Sequence, residues 1–588
     1  MSQLAYILED EKICWKVKII LSRSCWKRYG SIWSIGKLFN KEDALNEAPS
    51  YLLNHYLDKS MLEPCKNKLI NYILNLNGFY AFIIVASDNI YLVADAVRSI
   101  PIFYSYNSSE LIITDDPYEY FKEIKANDID NKNLLELLIS GIVTGNKTVI
   151  KGLYQVEAGQ IVDINLLNQD IKVFNYKYLF PENNNDEIDL IKYYKKLDET
   201  LEKVFLRVKK ISNGKIILLP LSGGLDSRLI ALWLKIKGIK NVICFCYGSN
   251  NSPEKDVSNI VAKSLGYEWI FVEYSKEKIR ELNSNELFNS YLLYSHKYSS
   301  LPNIQDFVAC NEISKIISKN DVLYMPGHTG NFVAGSEIPF NLINKRDISE
   351  SAKTIFKRYF SLFNLNSINY VYKNLCLDPI KTKYEFIKNI ENSLSKAICG
   401  KEKENYENLS VSLFEYWSWR EHHAKFIVNW IRVAEYFGFE WYMPLWDWDY
   451  VQLWEGMPLG LRKNRFLLRC YINYIQDRLG IKLSSKILTM NDIKKEIICD
   501  LSELLNYFLR EPEFIEKLKD NINFFFRKSE YDKHIFNWYY LFDKKLFNEV
   551  IKTAGRKWNI NTFIALYLFN ILYKNIFEYK ANLIKEYK

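Results

Sequence analysis

Lys215-Ile-Ile-Leu-Leu-Pro-Leu-Ser-Gly-Gly-Leu-Asp-Ser227 is the stretch whose reading decides the fold. Lys215–Leu219 is a short apolar run of the kind buried in a parallel sheet. The run breaks at Ser222-Gly223-Gly224. It resumes from Ser227 to Lys237, with Leu229, Ile230, Trp233 and Leu234 at helical spacing. A strand, a glycine turn and a helix start make an anion site. Glycine lets the backbone approach closely, free N–H groups point outward, and the helix dipole favours negative charge. A Walker A loop would carry a Lys after its second glycine, and a dinucleotide fingerprint would read G-x-G-x-x-G. Neither spacing is present.

The same logic continues downstream. Asn241–Tyr247 reads as a strand, a helix opens at Pro253 and closes at Gly266, and Trp269–Val272 reads as the next strand. This β-α-β-α-β order predicts a parallel sheet with helices on both faces and ligand at the carboxyl ends of its strands. The strand Asp321–Met325 then opens into Pro326-Gly327-His328-Thr329-Gly330-Asn331-Phe332-Val-Ala-Gly335, a second glycine-rich loop on that sheet. Ser412–Phe437 reads as one long aromatic helix carrying Arg420, Glu421, His422 and His423. Adjacent histidines do not share a helical face, which argues against a metal site there.

Upstream, short strands alternate with turns. Ala81–Ala86 with Ile90–Ala94, and Ile102–Tyr106 with Glu110–Thr114, read as hairpins. A helix is predicted over 131–140 and further strands near Val149 and Lys172. Asn183-Asn-Asn-Asp-Glu187 is a polar break and sets the expected domain boundary, giving domains 1–187 and 188–588.

Composition agrees with this division. A chain of 588 residues exceeds one core, so two or three domains are expected. At 48% hydrophobic and 25% charged it reads as a globular chain. A net charge of +8, spread rather than clustered, argues against a nucleic-acid partner. The ten Cys form no C-x-x-C pair or zinc spacing, and Cys244 and Cys246 read as packing residues. No signal-type core and no membrane-length apolar run appears, so a cytoplasmic location is expected. The Trp-rich stretch Trp441–Trp454 reads as core rather than as a ligand site. Beyond Met490 the chain reads as helical, with no chemical signature.

Ser222-Gly-Gly-Leu-Asp-Ser227 resembles the pyrophosphate loop of the ATP pyrophosphatase superfamily, and the chain as a whole resembles asparagine synthetases. Asn77-Gly-Phe-Tyr-Ala-Phe82 and Asp95-Ala-Val-Arg98 through Tyr104 are similar to their glutaminase domain. Gly438–Asp447 is similar to their Val-Glu-Ala-Arg-Val-Pro-Phe-Leu-Asp segment through Glu440, Pro444 and Asp447, with Tyr442 at the Arg. Met457-Pro458, Arg465 and Leu467-Leu-Arg469 continue the likeness. The fold implied is α/β: an Ntn-hydrolase-like α+β sandwich, then an adenine-nucleotide α-hydrolase-like (ATP pyrophosphatase) parallel-sheet domain with a helical C-terminal part. The family's glutaminase needs a Cys directly after the initiator Met. Here the chain starts Met1-Ser2-Gln3 and its first Cys is Cys14, so a scaffold without glutaminase activity is expected.

The resemblance also implies ATP and Mg²⁺. Leu221, Ser222, Gly223, Gly224, Asp226, Ser227 and Gly327 would bind ATP and pyrophosphate, and Asp226 and Asn331 would hold the metal. His328 takes the place of a catalytic Glu, and Asn331 that of an Asp. Lys486, with Lys482 as the alternative, would serve the mobile-loop Lys at the α-phosphate. His328 or Glu421 would accept a proton. The activity implied is an AMP-forming carbon–nitrogen ligase acting on a small-molecule or peptide carboxylate with ammonia or an amine. The lean is toward a non-aspartate acid such as a uronic acid in polysaccharide biosynthesis. The alternative is an intramolecular cyclase of the β-lactam synthetase or lasso-peptide cyclase type. A tRNA-modifying enzyme and a non-catalytic protein are the competing classes, and monomer or homo-oligomer is left open.

Overall fold

The computed structural model describes residues 3–8, 15–39, 45–46, 71–86, 88–120, 128–184, 189–363, 372–373, 375–398, 406–481, 536–542, 544, 547 and 559–568. The expectations for Ser2, Cys14, Lys482, Lys486, the residue-187 boundary and most of the chain beyond Met490 lie outside the described residues.

The N-terminal half is a sandwich of two sheets. One orders Gln3–Leu8, Lys16–Leu21, Glu110–Thr114, Phe103–Tyr106 and Leu153–Gln155. The other orders Ile171–Asn175, Gln160–Asn165, Asn89–Ala94, Asn77–Val85, Ile32–Phe39 and Lys27–Tyr29. Alternate residues of each strand face inward, so Val17, Ile19, Leu111 and Ile113 of one sheet meet Ile83, Val85, Leu92 and Val162 of the other. Both expected hairpins form, in antiparallel register.

The second half is built on a five-stranded sheet ordered Glu268–Glu273, Val242–Gly248, Ile216–Pro220, Val322–Tyr324 and Glu440–Trp441. All four pairings are parallel. The helices Leu225–Ile236 and Pro253–Leu265 make the crossovers. This mixed sandwich followed by a parallel α/β sheet is the expected fold class. Ile217, Leu218 and Leu219 of the central strand are fully buried, as a strand covered on both faces requires.

Two local readings need correction. Ser412–Phe437 is not one α-helix. An α-helix over Leu409–Trp417 passes into a π-helix over Ser418–Ile427, a 3₁₀ turn over Val428–Ile431 and an α-turn over Arg432–Tyr436. The segment buries Glu421, His423, Lys425, Asn429 and Arg432, the first three of them on the wider π-turn. Asn183, read as the start of a polar break, is fully buried. Its Nδ2 donates to Ser412 Oγ (3.1 Å) and Glu415 Oε2 (2.9 Å), and its Oδ1 accepts from Arg462 Nη1 (2.7 Å). The polar side chain is there because it is satisfied inside the protein.

The tryptophans behave as expected. Trp446 and Trp454 are in the core.

Candidate functional site: two glycine loops at the carboxyl end of the parallel sheet

The central strand ends at Pro220, and the Leu221 N–H donates to Phe245 O at 2.8 Å, which fixes where the turn begins. The helix then starts at Leu225, two residues earlier than the sequence spacing suggested. Asp226 and Ser227 therefore sit in its first turn. Gly224 is the N-cap and supplies no side chain to cap the helix; the first N–H groups of a helix have no intrahelical partner, which suits a helix start to an anion. The turn is braced from within. Ser222 Oγ accepts from Gly224 N (3.1 Å), Ser222 N donates to Ser227 Oγ (3.3 Å), and the two hydroxyl oxygens lie 3.4 Å apart. Arg228 Nη2 donates to Gly223 O at 2.9 Å and ties the turn to the buried side of the helix.

The second loop leaves the adjacent strand, where Met325 N donates to Leu218 O at 2.9 Å. It lies directly on the first. A Cβ at Gly327 would stand 2.9 Å from Ser227 N and 3.2 Å from Asp226 C, and one at Gly330 would stand 3.1 Å from Asp226 Oδ1. At Gly327 the Asp226–Ser227 backbone fills the space, and at Gly330 a Cβ would stand 2.4 Å from Leu445 Cδ1, with the Asp226 carboxylate next nearest. Gly335, at φ +90°, closes the loop where a Cβ would strike the Arg462 carbonyl. Leu221, Ser222, Gly223, Gly224, Asp226, Ser227 and Gly327 are thus brought together, and Asn331 directly follows Gly330.

Among the described residues no group of three or more His, Cys, Asp or Glu stands together as a metal site. The carboxylate of Asp226 and the carboxamide of Asn331 are oxygen donors of the type a magnesium ion takes alongside phosphate and water.

The proton-handling candidates differ in setting. His328 is half-buried, with its ring edge-on to Trp430 at 5.5 Å. Desolvation pushes its imidazole down to about 3, so it is neutral across the physiological range and weakened as a base. Glu421 is buried between the two halves of the chain, where it takes the Lys425 ammonium and the Gly145 N–H (3.0 Å). These are structural partners. The sequence reading missed Glu337, which meets His423 Nε2 at 3.5 Å. Its position two residues after Gly335 carried no motif, and only the folding of the π-helix onto the loop brings the pair together.

The segment Gly438–Asp447 proves architectural. Asp447 is fully buried and takes Arg207 Nη1 (2.7 and 2.9 Å), Tyr442 OH (2.9 Å) and Asn77 Nδ2 (2.8 Å). Glu440 pairs with Lys37 of the first half and Lys215 of the second.

Sheet order, the Ser222–Ser227 turn and the apposed second loop form a parallel α/β domain with two glycine loops at the carboxyl ends of its strands, an arrangement that resembles the asparagine synthetase-like family. No known family profile matches the chain. It is 25% identical over 274 residues to the microcin J25-processing protein McjC of Escherichia coli, covering 44% of this chain and 47% of that one. The chain thus matches about half the length of this curated relative. Three solved structures overlap it partially. The allosteric regulatory enzyme of purine biosynthesis is 13% identical at TM-score 0.17, covering 41% of this chain and 60% of its own. Glutamine phosphoribosylpyrophosphate amidotransferase of B. subtilis is 11% identical at TM-score 0.18, covering 51% and 62%. The NH3-dependent NAD synthetase of Campylobacter jejuni is 18% identical at TM-score 0.19, covering 37% and 97%. At such TM-scores the overlaps add nothing to the fold, which rests on the strand order itself.

Proposed function

We propose that this protein is an ATP-dependent, AMP-forming ligase that adenylates a substrate carboxylate and joins it to an amine. The observation that carries the reading is the contact of the two glycine loops, with Gly327 and Gly330 set against Asp226 and Ser227 at the carboxyl ends of a parallel sheet. A carboxylate oxygen attacks the α-phosphorus of ATP and pyrophosphate leaves. The Ser222 and Ser227 hydroxyls and the N–H groups of the turn receive it, and the helix dipole stabilises its charge. Asp226 and Asn331 would hold Mg²⁺, which when bound would neutralise charge on the leaving group. Lys486 is assigned by resemblance to the charge at the α-phosphate. The amine then forms its bond to the acyl carbon, its proton passes to His328 or to water, the acyl–oxygen bond breaks, and AMP departs.

The name of the relative, a microcin J25-processing protein, favours a peptide substrate, and with it the cyclase alternative over amidation of a sugar acid. No finding favours a uronic acid. The division into domains 1–187 and 188–588, and a glutaminase-like half without glutaminase activity, belong to the same proposal.

ATP–pyrophosphate exchange tests it. Exchange should depend on an added carboxylate, with acidic peptides and uronic acids as the panel, and Asp226→Ala should abolish it. Exchange that requires tRNA, or ATP split only at its γ-phosphate, would refute the ligase. Release of glutamate from glutamine would refute the inactive glutaminase half.

A further inference from the structure

A buried cluster of charge lies where the two halves of the chain meet. The sandwich contributes Arg23, just beyond the strand Lys16–Leu21, and Arg98, in the turn after Asn89–Ala94. It also contributes Asp115 and Asp116, directly after Glu110–Thr114. The second half contributes Lys297, the residue after the helix Glu286–His296, with Arg432 and Glu435 of Arg432–Tyr436. Shared partners draw these groups together. Glu435 Oε2 accepts from Arg432 Nη1, from Tyr294 OH (3.0 Å) and from Arg23 Nη2 (3.4 Å). Arg23 Nη1 reaches Asp115 Oδ2 at 3.2 Å. Lys297 Nζ stands 3.3 Å from Asp116 Oδ1 and 4.6 Å from the centre of the Tyr294 ring. Arg432 Nη2 donates to Ser99 O, and its chain neighbour Arg98 donates from Nε to Val156 O at 3.1 Å.

The charges do not balance. Among the described residues the cluster sets four cations, Arg23, Arg98, Lys297 and Arg432, against three carboxylates. Arg98, Lys297 and Arg432 are only 4%, 2% and 1% exposed, so bulk water does not screen the excess. Each cation also keeps a buried donor with no hydrogen-bond partner among the described residues: Arg23 Nε, Arg98 Nη2, Lys297 Nζ and Arg432 Nε. Burial and the Arg432 charge push Arg98 down to about 9, which leaves it protonated at neutral pH, and burial lowers Lys297 and Arg432 as well. Glu157 and Glu421 act on Arg98 in the opposite sense, but they are committed to Arg420 and Lys425. Arg98 is moreover held at φ +52°, a left-handed backbone that side chains other than glycine adopt at a cost.

We propose that this cluster binds one small monovalent anion of halide size, taken by the unpaired donors of Arg98 and Arg432 and balancing the charge between the two halves. The burial of the cluster bounds the size of the ion, and the excess of one cation sets its charge. Arg and Lys donors with no acceptor of their own can be satisfied only by an acceptor, which an anion is and a metal ion is not. Arg23 and Arg98 belong to the sandwich and Lys297 and Arg432 to the second half, so the bound ion ties the halves together. The site is independent of how the glycine loops are read.

Urea unfolding of the full chain, with chloride replacing gluconate at constant ionic strength, tests this. An ion bound by the folded state alone raises the folding constant with its occupancy. The wild-type midpoint should rise with chloride, by an amount equivalent to roughly tenfold in that constant at ten times the dissociation constant, and bromide should act alike. Arg98→Gly removes the excess cation at a position whose backbone suits glycine. It should lose the chloride response and be at least as stable as wild type in gluconate. Lys297→Met removes the excess from the other half and should lose the response too, which keeps the test decisive if Arg98→Gly does not fold. A crystal soaked in bromide should show an anomalous peak against Arg98 and Arg432. A wild type indifferent to chloride, or variants that respond as wild type does, would overturn the site. A bromide peak without a chloride response in solution would mark an adventitious ion only and overturn it as well.

Discussion

His328 and His422 are neutral imidazoles in the folded protein, and this fixes the direction of their effect on stability. Each has an ordinary value of 6.5 and is pushed down to about 3, in both cases chiefly by desolvation. As pH falls, the unfolded chain takes up these protons before the folded one does. Their effect on stability is therefore absent above about pH 6.5 and grows more unfavourable down to about pH 3. His422→Phe, in contact with Tyr359 and Phe426, should flatten the loss of stability between neutral and mildly acid pH. Urea denaturation at the two pH values measures it, and an unchanged slope would show that His422 is not held neutral. The histidines were legible as candidates because each lies in or near a readable segment. Which of them has an acidic partner was not, because Glu337 and His423 are 86 residues apart in the chain and meet only through the fold.

At the scale of elements, the end of the second loop depends on one buried network. Arg462 Nη2 donates to Val333 O at 3.3 Å, while its guanidinium pairs with Glu415 and with Asn183 Oδ1. Glu415→Ala would leave that guanidinium buried and short of a carboxylate. The expected cost is about 3–5 kcal/mol, because an uncompensated buried charge exceeds the value of the pair itself. Equilibrium urea unfolding measures it, and a loss no larger than that of an ordinary surface substitution would refute the network's role. The Ser222–Ser227 glycine turn, both crossover helices and the strands around them could be read in the sequence, since each follows from local periodicity and glycine placement. The π-helix could not. Its residues have ordinary helical periodicity, and the widened turn accompanies the burial of Glu421, His423 and Lys425 inside the protein.

At the scale of the whole molecule, the two halves are joined by buried polar contacts. Asn77 Nδ2 donates to Asp447, and its Oδ1 accepts from Trp448 N at 3.0 Å. Arg420 forms two bonds to Glu157, at 3.1 and 2.8 Å, and Trp419 Nε1 donates to Ala96 O at 3.0 Å. Asn77→Ala should cost about 1–3 kcal/mol, the desolvation left when buried partners lose their bonds. Limited proteolysis of the variant should release the two halves faster than in wild type, and identical digestion would show that the contact does not hold them. The sequence by itself determined the parallel sheet, the glycine turn with Asp226 and Ser227 at a helix start, and the sandwich hairpins. These are consequences of short-range pattern: alternation, helical spacing and the freedom of glycine. Only the tertiary structure decided that Asn183 is a buried hub, that Glu440 and Asp447 join the halves, and that Glu337 faces His423. Those facts depend on which polar groups meet across long loops, and no local pattern encodes that.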